Sequence, residues 1–158
     1  MHNTKIDLAK GKREKIVELL NIRLADAIDL KTQAKQAHWN VKGAGFIGLH
    51  ELFDQVATEV DTHVDTIAER VTTLGGTALG TVRVAAQKST LSEYPLEITD
   101  GVAHVDALST ALADFSKKIR HNIDEAEKLD DAVTADLFTQ ISGGIDKLLW
   151  FVEAHNQS

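Results

Sequence analysis

The chain has 158 residues, one proline and no cysteine, and its 24 acidic against 17 basic side chains give a formal net charge of −7. That length fits one domain with its own core. The lack of cysteine excludes a disulfide scaffold, an iron–sulfur cluster, a zinc finger and a cysteine nucleophile, and the acidic balance argues against a globally basic nucleic-acid binder while suiting a chain that gathers cations.

Residues 1–14 are polar and contain several lysines, which predicts a flexible tail ahead of one domain at 15–158. The tail lacks the apolar run of a signal peptide. No segment approaches the roughly 20 apolar residues of a membrane span, so a cytoplasmic protein without a membrane partner is expected. From Lys15 onward, Ile16, Leu19, Leu20, Leu24, Ala27 and Ile28 recur at helical spacing. A first helix is predicted to run to about Val41, with Gly43 as its stop. A second, from about Ile47 to Leu74, carries Leu49, Phe53, Val56, Val60, Ile67 and Val71, and Gly75–Gly76 ends it.

Residues 77–98, with Gly80 and Pro95, are the least regular stretch and read as a crossover with a short helix inside Leu79–Lys88. A third helix opens at Thr99 or Asp100, either of which can cap it, and shows a stripe of Leu108, Leu112, Phe115, Ile119 and Ile123. The acidic turn Glu125–Asp131 separates it from a fourth helix bearing Leu137, Ile141, Ile145, Leu148 and Val152. Gly143 and Gly144 lie inside that helix, each at a cost of roughly 1 kcal/mol against Ala, which predicts close packing against a neighbour. Strand-type alternation is absent. Two helical hairpins joined by a long crossover predict an all-α, ferritin-like four-helix bundle with a short extra helix between helices 2 and 3.

The second helix carries an unusual polar edge. With His50 at the origin of a helical wheel, Asp54, Asp65 and Glu69 fall at about 40°, 60° and 100°, beside the apolar stripe. Asp61 and Glu51 fall on or next to the same edge, while His63 lies on the apolar stripe and reads as a packing residue. A lone Asp or Glu is usually a solvated surface residue; paired carboxylates and imidazole on one edge suit iron, manganese or zinc. The run from His50 to Asp54 departs from the zinc-protease HExxH pattern by ending in Asp. His104, His121 and His155 have no comparable set of partners. Distance limits what the edge can do. Asp54 and Asp65 are roughly 16 Å apart along a helix, and His50 and Glu69 roughly 28 Å. Either the two pairs serve two sites, or a second copy of the helix lies antiparallel and His50 and Asp54 of one chain face the other pair across a two-fold axis near Glu59–Val60. His38, near the end of the first helix, is a weaker candidate on these grounds alone.

The run Lys35-Gln36-Ala37-His38-Trp39-Asn40-Val41-Lys42-Gly43, followed by Phe46-Ile47, Leu49-His50-Glu51, Asp65-Thr66-Ile67-Ala68-Glu69-Arg70, Leu74-Gly75-Gly76 and Asp146-Lys147-Leu148-Leu149-Trp150-Phe151, strongly resembles the Dps family of mini-ferritins, the DNA-binding proteins from starved cells. The resemblance implies a hollow homododecamer with ferroxidase sites at its two-fold interfaces. It implies that His38, His50 and Asp54 bind iron together with Asp65 and Glu69 of the partner subunit, and that Fe(II) is oxidised preferentially by hydrogen peroxide and stored as ferric oxide. Removing both reagents protects DNA from oxidative damage. Trp39, beside the site, is a candidate sink for stray oxidising equivalents, with packing as its other reading. Acidic three-fold pores in the family make Asp130, Asp131 and Asp136 candidates for the iron route, against helix capping as the alternative. Family members that bind DNA use basic tails. Lys5, Lys10, Lys12 and Arg13 are the candidates here, acting by avidity across many copies. Competing readings are a nucleoid-compacting protein whose ferroxidase activity is secondary, and a shell whose metal sites hold structural zinc.

Overall fold

Each long helix buries one apolar stripe, and the stripes meet in a single core. The computed structural model describes residues 1–157, which form α1 (Lys10–Asn40), α2 (Phe46–Thr73), α3 (Val82–Lys88), α4 (Gly101–Lys128) and α5 (Ala132–Glu153) and no strand. The hairpins α1–α2 and α4–α5 carry most of the packing, and α3 lies on α1. Leu20, Leu24, Leu30, Phe53, Ile67, Leu108, Phe115, Ile119 and Phe138 are fully buried between them; full burial stabilises each such side chain by about 1.5–3 kcal/mol. The all-α bundle with a short helix in its crossover is the expected architecture. Among the described residues no helix is long and apolar enough to cross a membrane.

The first helix starts at Lys10, ahead of the expected Lys15, so residues 10–14 are helical. Arg13 accounts for the difference. It is buried, its Nε donates to the Leu8 carbonyl at 3.0 Å, and its Nη1 donates to the Leu74 carbonyl at 2.8 Å, satisfying a free acceptor at the end of α2. Ile6 and Leu8 pack on the core, and the His2 amide donates to the Gly75 carbonyl at 2.6 Å. Gly75 has φ +86°, and a Cβ there would lie 2.6 Å from the His2 carbonyl oxygen, so the close approach requires glycine.

Asp100 caps α4, its Oδ1 accepting from the Ala103 amide at 3.0 Å. The helix then runs through the expected break at Glu125 and ends at Lys128; Asp130, with φ +60°, makes the turn into α5. Gly144 does face a neighbour, since a Cβ there would lie 3.2 Å from His63 Nε2. Gly143 has nothing within 4 Å, so close packing does not explain it.

The crossover is held by a buried carboxylate on α1. Asp26 is fully buried and accepts from the Thr90 amide at 2.6 Å and the Thr90 hydroxyl at 3.0 Å, while Arg23 Nη2 lies 3.2 Å away. Asp26→Ala strands both the amide and the guanidinium. The expected result is a loss of about 3–5 kcal/mol in denaturant unfolding, with faster hydrogen exchange at the Thr90 amide than elsewhere in the bundle.

Candidate metal centre

The short link after α1 brings the last turn of one helix beside the first turns of the next. His38 and His50 therefore stack, with ring centroids 3.7 Å apart and planes at 24°. Each ring bonds the other residue's backbone: His38 Nδ1 donates to the His50 carbonyl at 2.7 Å, and His50 Nδ1 donates to the His38 carbonyl at 2.8 Å. A carbonyl only accepts, so the proton of each neutral ring sits on Nδ1. Nε2 of each is left with a lone pair, the form in which imidazole binds a metal. Phe46 covers His50 at 5.1 Å between centroids.

Asp54 lies one turn beyond His50 and accepts from Lys35 Nζ at 2.6 Å. That hydrogen bond, more than any other influence, holds its carboxyl below the usual carboxylate range, and the Lys35 charge acts in the same direction, against partial desolvation. The Lys35 ammonium also stands 5.7 Å over the ring of the exposed Trp39. One turn earlier, Lys31 Nζ donates to Asp61 Oδ1 at 2.6 Å, which occupies that carboxylate. Lys35 is the site residue that helix patterning missed. Its signal was present, since it precedes His38 by one turn on the same face of α1.

Asp65 and Glu69 lie one turn apart in the other half of α2. Both are exposed, and neither carboxylate takes a hydrogen bond among the described residues. Because α2 is continuous, helical rise keeps Asp65 roughly 16 Å from Asp54. The fold thus brings His38, His50 and Asp54 to one end and leaves Asp65 and Glu69 at the other. Among the described residues no three His, Asp or Glu side chains of one chain converge to hold an ion. Asp61 and Asp65 instead line an open groove of about 770 Å³ with Leu24, Ile28, Val64 and Ala68.

The acidic turn divides. Asp131, expected as a pore residue, is buried and accepts from Arg70 Nη2 at 2.8 Å and from the Thr134 amide at 3.0 Å. It caps α5 and ties it to α2, and has no free oxygen for a passing cation. Burial pushes its carboxyl up, but the Thr134 and Arg70 contacts outweigh this and hold it below the usual range. Asp130 and Asp136 do share an open cleft of about 540 Å³ with Glu127, Ala135 and Thr139. Asp130 pairs there with Lys12, and Asp136 accepts from Gln140 at 2.7 Å.

The basic tail residues are mostly occupied. Arg13 is buried in the body, Lys12 pairs with Asp130, and Lys10 lies 3.7 Å from Glu14. Arg13, expected to contact DNA, is thus a structural cation. Lys5 is exposed and has no ion pair among the described residues. His63 is half-buried beside Gly144, and desolvation lowers its pKa. His104 is also buried and shares a 2.8 Å hydrogen bond with the Tyr94 hydroxyl.

Comparison with known proteins gives the same fold. The family model for a ferritin-like domain matches residues 17–158. A DNA protection during starvation protein of Agrobacterium fabrum is 46% identical over 156 residues, covering 99% of this chain and 96% of the relative. Among solved structures, Mycobacterium smegmatis Dps in a tetragonal form superposes with TM-score 0.94 at 34% identity, covering 99% of this chain and 95% of that one. DpsA14 from Streptomyces coelicolor gives TM-score 0.93 at 31% identity, covering 98% and 92%.

The depressed Asp131 carboxyl has a signed consequence. Its stabilising contribution is present above the unfolded carboxyl pKa of about 3.9 and is lost as pH falls through the lower folded value. Asp131→Asn is expected to lose about 1–3 kcal/mol at neutral pH. In thermal unfolding followed across pH, the gap between variant and parent should close below about pH 4.

Proposed function

The chain belongs to the Dps family of ferritin-like proteins, and from that premise we propose that it is a mini-ferritin that oxidises Fe(II), preferentially with hydrogen peroxide, at sites shared by two copies. The ferric product is held inside a hollow homododecamer, in the cytoplasm, and DNA is protected because both reagents of hydroxyl-radical chemistry are consumed. The observation that carries this reading is the split donor set: two imidazoles with free Nε2 atoms and Asp54 at one end of α2, two unoccupied carboxylates at the other.

An antiparallel pairing of two α2 helices about an axis near Glu59–Val60 places His38, His50 and Asp54 of one copy opposite Asp65 and Glu69 of the partner subunit. By symmetry two equivalent sites result, roughly 22 Å apart. Neutral imidazole and carboxylate oxygen suit Fe(II), and the carboxylates favour the more highly charged ferric product. Two Fe(II) each give up one electron to one peroxide molecule; its O–O bond breaks, and two protons complete two molecules of water. No one-electron cleavage is left to release a hydroxyl radical. Lys35 holds Asp54 until Fe(II) displaces its ammonium. Trp39 is assigned to intercept a stray oxidising equivalent. The Asp130, Asp136 and Glu127 cleft is the proposed iron route, without Asp131.

Nucleoid compaction is the less favoured reading, because Arg13, Lys12 and Lys10 are engaged within the chain. Protection by chemistry requires none of them.

The test is anaerobic Fe(II) loading followed by a peroxide pulse, read as ferric absorbance. The parent is expected to oxidise iron about 10–100 times faster than His50→Ala/Asp54→Ala. Equal rates would defeat the ferroxidase reading, and tightly retained zinc with no iron oxidation would favour a structural metal.

A further inference from the structure

A second polar cleft, of about 410 Å³, is lined by Arg23, Asp114, Lys117, Lys118, His121 and Asn122, on α1 and α4. On a chain with net charge −7 it is a locally cationic place. We propose that this cleft binds a phosphate-type oxyanion, either free or carried on a nucleic-acid backbone.

Two of the residues that line the cleft each carry a buried polar atom without a partner. Arg23 is 8% exposed, and its Nε has no acceptor; Asn122 is 5% exposed, and its Oδ1 has no donor. Buried polar groups without partners are uncommon and mark a missing ligand or water. Asp26 answers Arg23 only in part, through Nη2 at 3.2 Å, because it also accepts from Thr90 and Ser89. Burial pushes the Arg23 guanidinium down despite Asp26 and Asp114. Lys118 and Asp114 pair with each other, and Lys118 also donates to the Thr90 carbonyl at 3.0 Å. Lys117 is exposed and has no ion pair among the described residues; His121 is exposed on the next turn of α4.

A water can answer one idle atom, whereas the cleft also presents the Lys117 ammonium and the His121 ring. An oxyanion in the cleft accepts from the donors that line it. The guanidinium and ammonium supply charge-assisted hydrogen bonds. Turning the Asn122 amide about its last bond replaces the idle oxygen with an NH₂ donor, an exchange of two atoms of nearly equal size. The Arg23 guanidinium, the Lys117 ammonium, the turned amide and the His121 ring line one cleft, and the carboxylates beside them are already engaged, Asp114 with Lys118 and Asp26 with Arg23, Thr90 and Ser89.

The assembled full-length protein is titrated calorimetrically with inorganic phosphate at constant ionic strength, beside the variant Lys117→Ala/His121→Ala. Both positions are exposed and stand apart from the α1–α2 iron ligands. Saturable binding is expected, weakened about tenfold or more in the variant, with peroxide-driven Fe(II) oxidation unchanged. Short duplex DNA provides the second arm. Retention that phosphate competes away and the variant loses identifies a backbone phosphate as the source; phosphate binding without DNA retention identifies the free anion. Either result upholds the site. No saturable phosphate binding, or equal affinity in parent and variant, overturns it and leaves the cleft to water.

Discussion

His38 and His50 exchange ring-to-carbonyl hydrogen bonds of 2.7 and 2.8 Å across the α1–α2 hairpin, and the chemistry of the centre depends on that exchange. It is possible because α1 stops where it does. An unbroken helix would give the His38 carbonyl to the amide of residue 42. The Lys42 amide instead donates to the Thr99 carbonyl at 2.8 Å, at the head of α4. The freed carbonyl accepts from His50 and fixes its tautomer, leaving a lone pair on Nε2, the form in which imidazole can bind a metal. A hairpin end, a crossover and an imidazole tautomer are therefore one connected piece of structure.

The same helix that aligns these groups also keeps them from forming a closed site. A continuous α2 is a rigid ruler, and its rise separates Asp54 from Asp65 by roughly 16 Å. No rotamer change spans that interval. Under the proposed two-fold pairing each copy would supply what the other lacks, which ties the proposed function to assembly. The acidic excess is likewise placed with purpose. Asp131 works inside the bundle as a cap and ion pair, while Asp65 and Glu69 stay exposed and unbonded within the chain.

Much of this was legible in the sequence. Helical periodicity gave the stripes of Leu20, Leu24, Leu108 and Phe115, and the wheel put His50, Asp54, Asp65 and Glu69 on one edge because period and rise are properties of any α-helix. What escaped were partners distant along the chain. Arg13 lengthens α1 by reaching Leu74, Lys35 answers Asp54, and Arg70 claims Asp131; charge alone could not tell these from solvated side chains. Gly144 was read correctly as a close contact, through His63, whereas the contacts of Gly143 provide no such reason. His38 shows the boundary well: motif resemblance supplied it as a candidate ligand, and the structure shows its ring stacked on His50 with Nδ1 bonded to the His50 carbonyl, an arrangement that helical periodicity does not reveal.

The central claim, that two copies complete each site, is tested most directly by complementation. One chain carries His50→Ala/Asp54→Ala and the other Asp65→Ala/Glu69→Ala; each is inactive when assembled alone. In a mixed pair, one interface site collects all four substitutions and the other is fully intact. Random co-assembly makes half of all pairs mixed, so peroxide-driven Fe(II) oxidation should return to about a quarter of the parent rate. No recovery in demonstrably mixed assemblies would contradict the shared site and place iron oxidation within single chains.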